Sequence, residues 1–134
     1  LYIPKTTLNT KESRGILPSS YDSMIIRKAA ELEQSMVRAL IEKDYEKAGS
    51  LMELDVIHQP YRKKLIPYWD DVMNLSKAAG VWGTALSGAG PAMISMCRLD
   101  EVSEIIRKIK KRIDMGYDLS IIGCGVNTQG ARGL

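Results

Sequence analysis

The sequence predicts an α+β fold in which helices pack on one face of a mostly antiparallel, ferredoxin-like sheet. Three observations predict it. Apolar runs, 81–86 and 92–97, flank Ser87-Gly88-Ala89-Gly90-Pro91 and read as strand, tight glycine turn, strand. Val102, Ile105, Ile106, Ile109 and Ile113 make the cleanest amphipathic stripe in the chain, opposed by Arg107, Lys108, Lys110 and Lys111. The order strand, helices, strand, strand, helix, strand is then a βαββαβ run with extra helices between its first and second strands.

Each element has its own signal. Leu1 to Ile3 reads as the end of a strand halted by Pro4, and residues 5–9 as a polar crossing segment. Thr10 and Arg14 stand four apart, so one helical turn would put hydroxyl and guanidinium on the same face. Residues 19–22 supply capping side chains for a helix from about Asp22 to Lys43, with Ile25, Ala29, Leu32, Met36 and Leu40 at helical spacing. A shorter amphipathic piece from Tyr45 to Leu54 completes a helical pair. Pro60 predicts a turn over residues 58–62 with Gln59 extended. Pro67 suits the first turn of a helix that runs to Ala79 with Trp69, Val72, Met73, Ser76 and Ala79 inward, and Gly80 is its stop. In the glycine turn Gly88 and Gly90 are free to take positive φ, while Pro91 is expected to hold Gly90 extended. Asp100 is the expected N-cap of the last helix and Gly116 its end. Leu119, Ile121 and Ile122 open a last strand reaching about Val126, before the polar tail 127–132.

Composition excludes several classes. At 134 residues the chain is one domain with a modest core. The net charge of +3 is small and its bases are interspersed with acids, so nothing demands nucleic acid. No apolar run approaches the roughly 18–20 residues of a membrane span, and no signal peptide opens the chain. Cys97 and Cys124 stand in apolar surroundings and read as buried thiols in a reducing cytoplasm, not as a disulfide or metal ligands. A start at Leu1 instead of Met reads as a piece of a longer protein.

Chemistry-bearing residues fall in three places. Arg14 is able to grip a carboxylate or phosphate bidentately; it reads equally as a surface arginine beside Glu12. His58-Gln59-Pro60-Tyr61-Arg62 collects the chain's single histidine, an aromatic and an arginine, followed by Lys63 and Lys64. The glycine turn offers backbone N–H groups to an anion, and the same letters also fit an ordinary hairpin. It is not a Walker loop, since no Gly-Lys-Ser/Thr follows.

Taken together, Thr10-x-x-x-Arg14 with Leu17-Pro18, His58-Gln59-Pro60-Tyr61-Arg62 with Leu65-Ile66-Pro67, Ala85-Leu86-Ser87-Gly88-Ala89-Gly90-Pro91 and Gly130-Ala131-Arg132 resemble the homoserine kinases of the GHMP kinase superfamily. The resemblance covers almost the whole chain, residues 1–134, as that family's carboxy-terminal domain. It implies ATP-dependent phosphorylation of the L-homoserine hydroxyl to O-phospho-L-homoserine in threonine biosynthesis, in the cytoplasm. It implies substrate binding by Thr10, Arg14 and Arg62, and a loop of Ser87, Gly88, Ala89 and Gly90 lying beside the phosphate site. ATP and Mg²⁺ are implied as cofactors, held mainly by an amino-terminal domain outside this chain. That domain is one expected partner, and a homodimer is another. No residue is assigned to proton transfer or to a metal, and His58 is expected to shape the turn presenting Arg62. The chain alone is expected to fold without turning over. Another GHMP kinase, of mevalonate or shikimate type, and a non-catalytic amino-acid-binding module are the alternatives.

Overall fold

The computed structural model describes residues 1–113, 117–126 and 129–130. Four strands, β1 (Tyr2–Pro4), β2 (Gly83–Leu86), β3 (Met93–Met96) and β4 (Leu119–Ile121), form an antiparallel sheet in the order β2-β3-β1-β4. That is the strand order of a ferredoxin-like sheet. Thr84 stands opposite Ser95, Leu86 opposite Met93, and Tyr2 opposite both Met93 and Ile121. Because side chains alternate along a strand, these residues share one face. Helices α5 (Trp69–Ala79) and α6 (Val102–Ile113) cover it, bringing Val72, Ile105, Ile109 and Ile113 onto Tyr2 and Met93 as the core. The polar atoms in this core are satisfied as a chain: Ser76 Oγ to Tyr2 OH (2.7 Å), Tyr2 OH to Ser95 Oγ (3.1 Å), Ser95 Oγ to Thr84 Oγ1 (2.6 Å).

Between β1 and β2 run α1 (Thr10–Gly15), α2 (Ser23–Ile41), α3 (Tyr45–Met52) and α4 (Gln59–Arg62). Asp22 caps α2 by accepting from Met24 N–H, and Asp44 caps α3 by accepting from Lys47 N–H. Helix α3 lies against β2 at a point where neither carries a side chain. A Cβ on Gly83 would overlap the Gly49 carbonyl, and one on Gly49 would stand 2.6 Å from Trp82 Cβ. As the edge strand, β2 leaves backbone donors that need partners. Glu53 Oε1 accepts from Thr84 N–H (2.9 Å), and Gln59 Oε1 accepts from Leu86 N–H (3.1 Å).

Several details differ from the sequence expectation. Residues 59–62 are a short helix, not a turn with an extended Gln59, because Pro60 sits in the first helical turn, where no N–H is needed. Asp100 lies inside a 3₁₀ turn, Leu99–Glu101, with its carboxylate held by Arg98 at 2.8 and 3.1 Å, so α6 begins after it. Gly90 takes φ +84°, a left-handed conformation open to glycine, and not an extended one; the Gly90–Pro91 bond is cis. Strand β4 stops at Ile121, and α2 and α3 end at Ile41 and Met52. Cys97 is half-buried and Cys124 exposed, both as free thiols, because the chain leaves the sheet before Cys124. Gly80 does end α5, at φ +97°. The expected stop at Gly116, most of the polar tail, and Ala131 and Arg132 of the closing motif lie outside the described residues.

Candidate functional site

Helix α4 is the centre of the site, and its start is built by Asp55. The Asp55 carboxylate accepts from the N–H groups of Ile57 (2.9 Å), His58 (3.0 Å) and Gln59 (2.7 Å), fixing the turn that leads into the helix and satisfying the donor of its first residue. His58 contributes mainly its backbone, since its carbonyl accepts from Arg62 N–H at 3.0 Å. Its ring is half-exposed, with Nδ1 3.5 Å from Asp55 Oδ1. One turn along α4, Gln59 and Arg62 are both buried and reach in different directions. The Gln59 amide donates to the Met52 carbonyl (3.0 Å) while accepting from Leu86, so it ties α3, α4 and β2 together.

Arg62 makes the connection that matters most. Its Nε donates to the Ser13 carbonyl (3.1 Å) and its Nη1 to the Gly88 carbonyl (3.3 Å), joining α1 to the glycine loop. Arg62 as a whole residue is only 9% exposed. Among the described residues no carboxylate forms an ion pair with it. Paired only with backbone carbonyls, a buried positive charge keeps a strong attraction for any anion that arrives.

Thr10 opens α1 and Arg14 lies near its end, both exposed; Arg14 follows Ser13, the residue Arg62 holds. Arg14 makes no ion pair with Glu12 among the described residues. A groove of about 420 Å³ is lined by Asp55, His58, Gln59, Arg62, Leu86 and Gly88, among others. Thr10 and Arg14 do not line that groove.

The glycine loop closes one side. Gly90 N–H donates to the Ser87 carbonyl (3.3 Å), with Gly88 at φ +65° and Ala89 not at positive φ, the pattern of a type II′ turn. Ser87 N–H donates to Ala92 O (2.9 Å), closing the hairpin. Three loop carbonyls are held by side chains: Gly88 by Arg62, Ala89 by Ser13 Oγ (2.6 Å) and Pro91 by Tyr68 OH (2.8 Å). Burial pushes the Tyr68 hydroxyl up to about 12, so it remains a donor at neutral pH. The Gly88 and Ala89 amides have no protein acceptor among the described residues. Ser13, Asp55, Gln59 and Tyr68 were not marked as site residues by sequence reasoning. Of these, Ser13 stands inside the Thr10-x-x-x-Arg14 stretch and Gln59 inside the 58–62 cluster, while Asp55 and Tyr68 lie outside every quoted motif.

Comparison with known proteins agrees with this architecture. Residues 36–114 match the family described as GHMP kinases, C terminal. The chain is 33% identical over 114 residues to a homoserine kinase of Staphylococcus epidermidis, covering 85% of this chain and 37% of that protein. Over 95 residues it is 44% identical to a homoserine kinase of Oceanobacillus iheyensis, covering 71% of this chain and 32% of that one. The crystal structure of homoserine kinase from Cytophaga hutchinsonii superposes with a TM-score of 0.76 at 28% identity, over 89% of this chain and 39% of that one. The chain thus spans about a third of the length of the curated relatives it matches.

Proposed function

The chain belongs to the GHMP kinase C-terminal family, and from that premise we propose that it is the carboxy-terminal domain of a homoserine kinase. The longer protein would use ATP to phosphorylate the side-chain hydroxyl of L-homoserine, yielding O-phospho-L-homoserine for threonine biosynthesis in the cytoplasm. Naming of the relatives as homoserine kinases supports the substrate. The observation that carries the reading is Arg62, a buried arginine that among the described residues has no carboxylate partner, set against a glycine loop whose Gly88 and Ala89 amides meet no acceptor among those residues.

A small zwitterion is suited to this surface. Arg62 and the exposed Arg14 would hold the α-carboxylate, and a planar guanidinium discriminates strongly for that group. Thr10, on the same helix as Arg14, would stand near the reacting hydroxyl. Ser87, Gly88, Ala89 and Gly90 would flank the phosphate site, where the Gly88 and Ala89 amides, without an acceptor among the described residues, fit negative charge. ATP, when bound, supplies the transferred phosphoryl group, and the protein's work is positioning and charge stabilisation. Mg²⁺ would be held by the amino-terminal portion: among the described residues no three His, Cys, Asp or Glu side chains gather as ligands. That portion is the chain's proposed partner, and a second copy a further one. Among the described residues no helix is long and apolar enough to cross a membrane.

The test is steady-state kinetics of the longer protein with Arg14→Ala and Arg62→Ala. A hydrogen bond to a charged group contributes about 1.5–3 kcal/mol, so each change should raise KM for homoserine by about 10- to 150-fold. Unchanged KM in both variants would refute the substrate assignment.

A further inference from the structure

We propose that Ser13 is a positioning residue, holding the glycine loop in one backbone conformation together with Arg62 and Tyr68. The inference rests on the reading that this loop flanks the transferred phosphoryl group. Four of its five carbonyls, from Ser87 to Pro91, are committed: Ser87 to Gly90 N–H, Gly88 to Arg62, Ala89 to Ser13 and Pro91 to Tyr68. The three side-chain donors come from α1, α4 and the segment just before α5, so the loop is held from three directions. Ser13 is completely buried and makes the shortest of the three bonds, 2.6 Å.

The consequence is electrostatic. In a trans peptide the N–H of one residue points opposite to the C=O of the residue before it. With the Gly88 carbonyl turned toward Arg62, the Ala89 N–H points away from Arg62, and it meets no protein acceptor among the described residues. A loop flanked by two glycines at positive φ has low intrinsic preference for any one set of peptide orientations. Without its side-chain donors it would sample flipped peptides, which present carbonyl oxygen instead of N–H to an incoming anion. Ser13 holds the next peptide, Ala89–Gly90, whose N–H closes the turn onto the Ser87 carbonyl, so it acts on the neighbouring Ala89 amide by fixing the turn that carries it, with no substrate contact of its own. Its backbone carbonyl simultaneously receives Arg62 Nε, so α1 and the loop are held in mutual register.

Two readouts test this, one free of activity. In the chain itself, Ser13→Ala should shift the backbone amide resonances of Gly88, Ala89 and Gly90 and speed their hydrogen exchange. In the longer protein the same change should lower kcat about ten-fold, the effect of one lost hydrogen bond in the transition state, with KM for homoserine within two-fold of wild type. Tyr68→Phe, which removes a single hydroxyl, should do the same and serves where Ser13→Ala does not fold. Loop resonances that stay in place in a folded variant would overturn the proposal. So would resonances that move while kcat is unchanged, or a loss appearing only in KM. If the longer protein shows no homoserine-dependent turnover at all, the functional reading fails, and the resonances alone decide what Ser13 does to the loop.

Discussion

Replacing Gly49 by alanine sets two opposed effects against each other. Gly49 is buried in the middle of α3, where alanine is ordinarily better than glycine by about 1 kcal/mol. The added methyl would lie 2.6 Å from Trp82 Cβ, 3.0 Å from Trp82 C and 3.2 Å from Gly83 N. Carbon atoms pack best at about 3.5–4.0 Å, so α3 would have to retreat from β2 by about 0.9 Å. All three obstacles are backbone or the root of a side chain, and no rotamer change relieves them. Overpacking of this kind costs about 1–3 kcal/mol, and these contacts belong at the upper end. Destabilisation of about 2 kcal/mol should remain after the helical gain. For a domain of this size that is a fall of about 8 °C in Tm. Urea and thermal unfolding followed by circular dichroism would measure it, with Gly15→Ala as the control, since a Cβ there meets nothing within 4 Å. A Gly49→Ala protein as stable as wild type, or more so, would refute the claim that bare backbone contact seats α3 on β2.

Two further outcomes follow from the site. Tyr68 has its hydroxyl raised by burial from 10.0 to about 12, so the folded state keeps a proton that the unfolded chain releases. Its contribution to stability is complete below pH 10 and is lost as pH rises through 12. Urea midpoints across that window should therefore decline more steeply for wild type than for Tyr68→Phe, and parallel curves would remove the burial argument. The 134-residue chain by itself should show no homoserine-dependent ATP turnover above a no-enzyme blank; measurable turnover would show that the amino-terminal portion is dispensable.

Much of the fold was legible from local rules. The α6 stripe, the strand–glycine–strand hairpin and the Gly80 stop each depend on residues within a few positions of one another, and those elements formed as expected. Local rules failed where one residue type suits two local conformations. Pro60 ends a helix from within but is harmless in its first turn, and which applies depends on Asp55 capping the turn before it. A residue before proline favours an extended conformation, yet Gly90, without Cβ, is free to go elsewhere when the hairpin requires it.

For the candidate site, the sequence by itself determined only which residues stand in three segments, the one carrying Thr10 and Arg14, the one carrying Arg62, and the glycine loop. That these segments touch is seen in the fold. Charge, hydroxyl and glycine are visible as letters. What only the tertiary structure decided was how the segments are held. Arg62 spends two donors on backbone carbonyls, Ser13 and Tyr68 take two more, and Gln59 bridges a helix end to the edge strand. Every non-proline residue presents the same backbone groups, so a hydrogen bond to a carbonyl leaves no signature at the accepting position. Such contacts exist only once the chain has brought together residues as much as 76 positions apart.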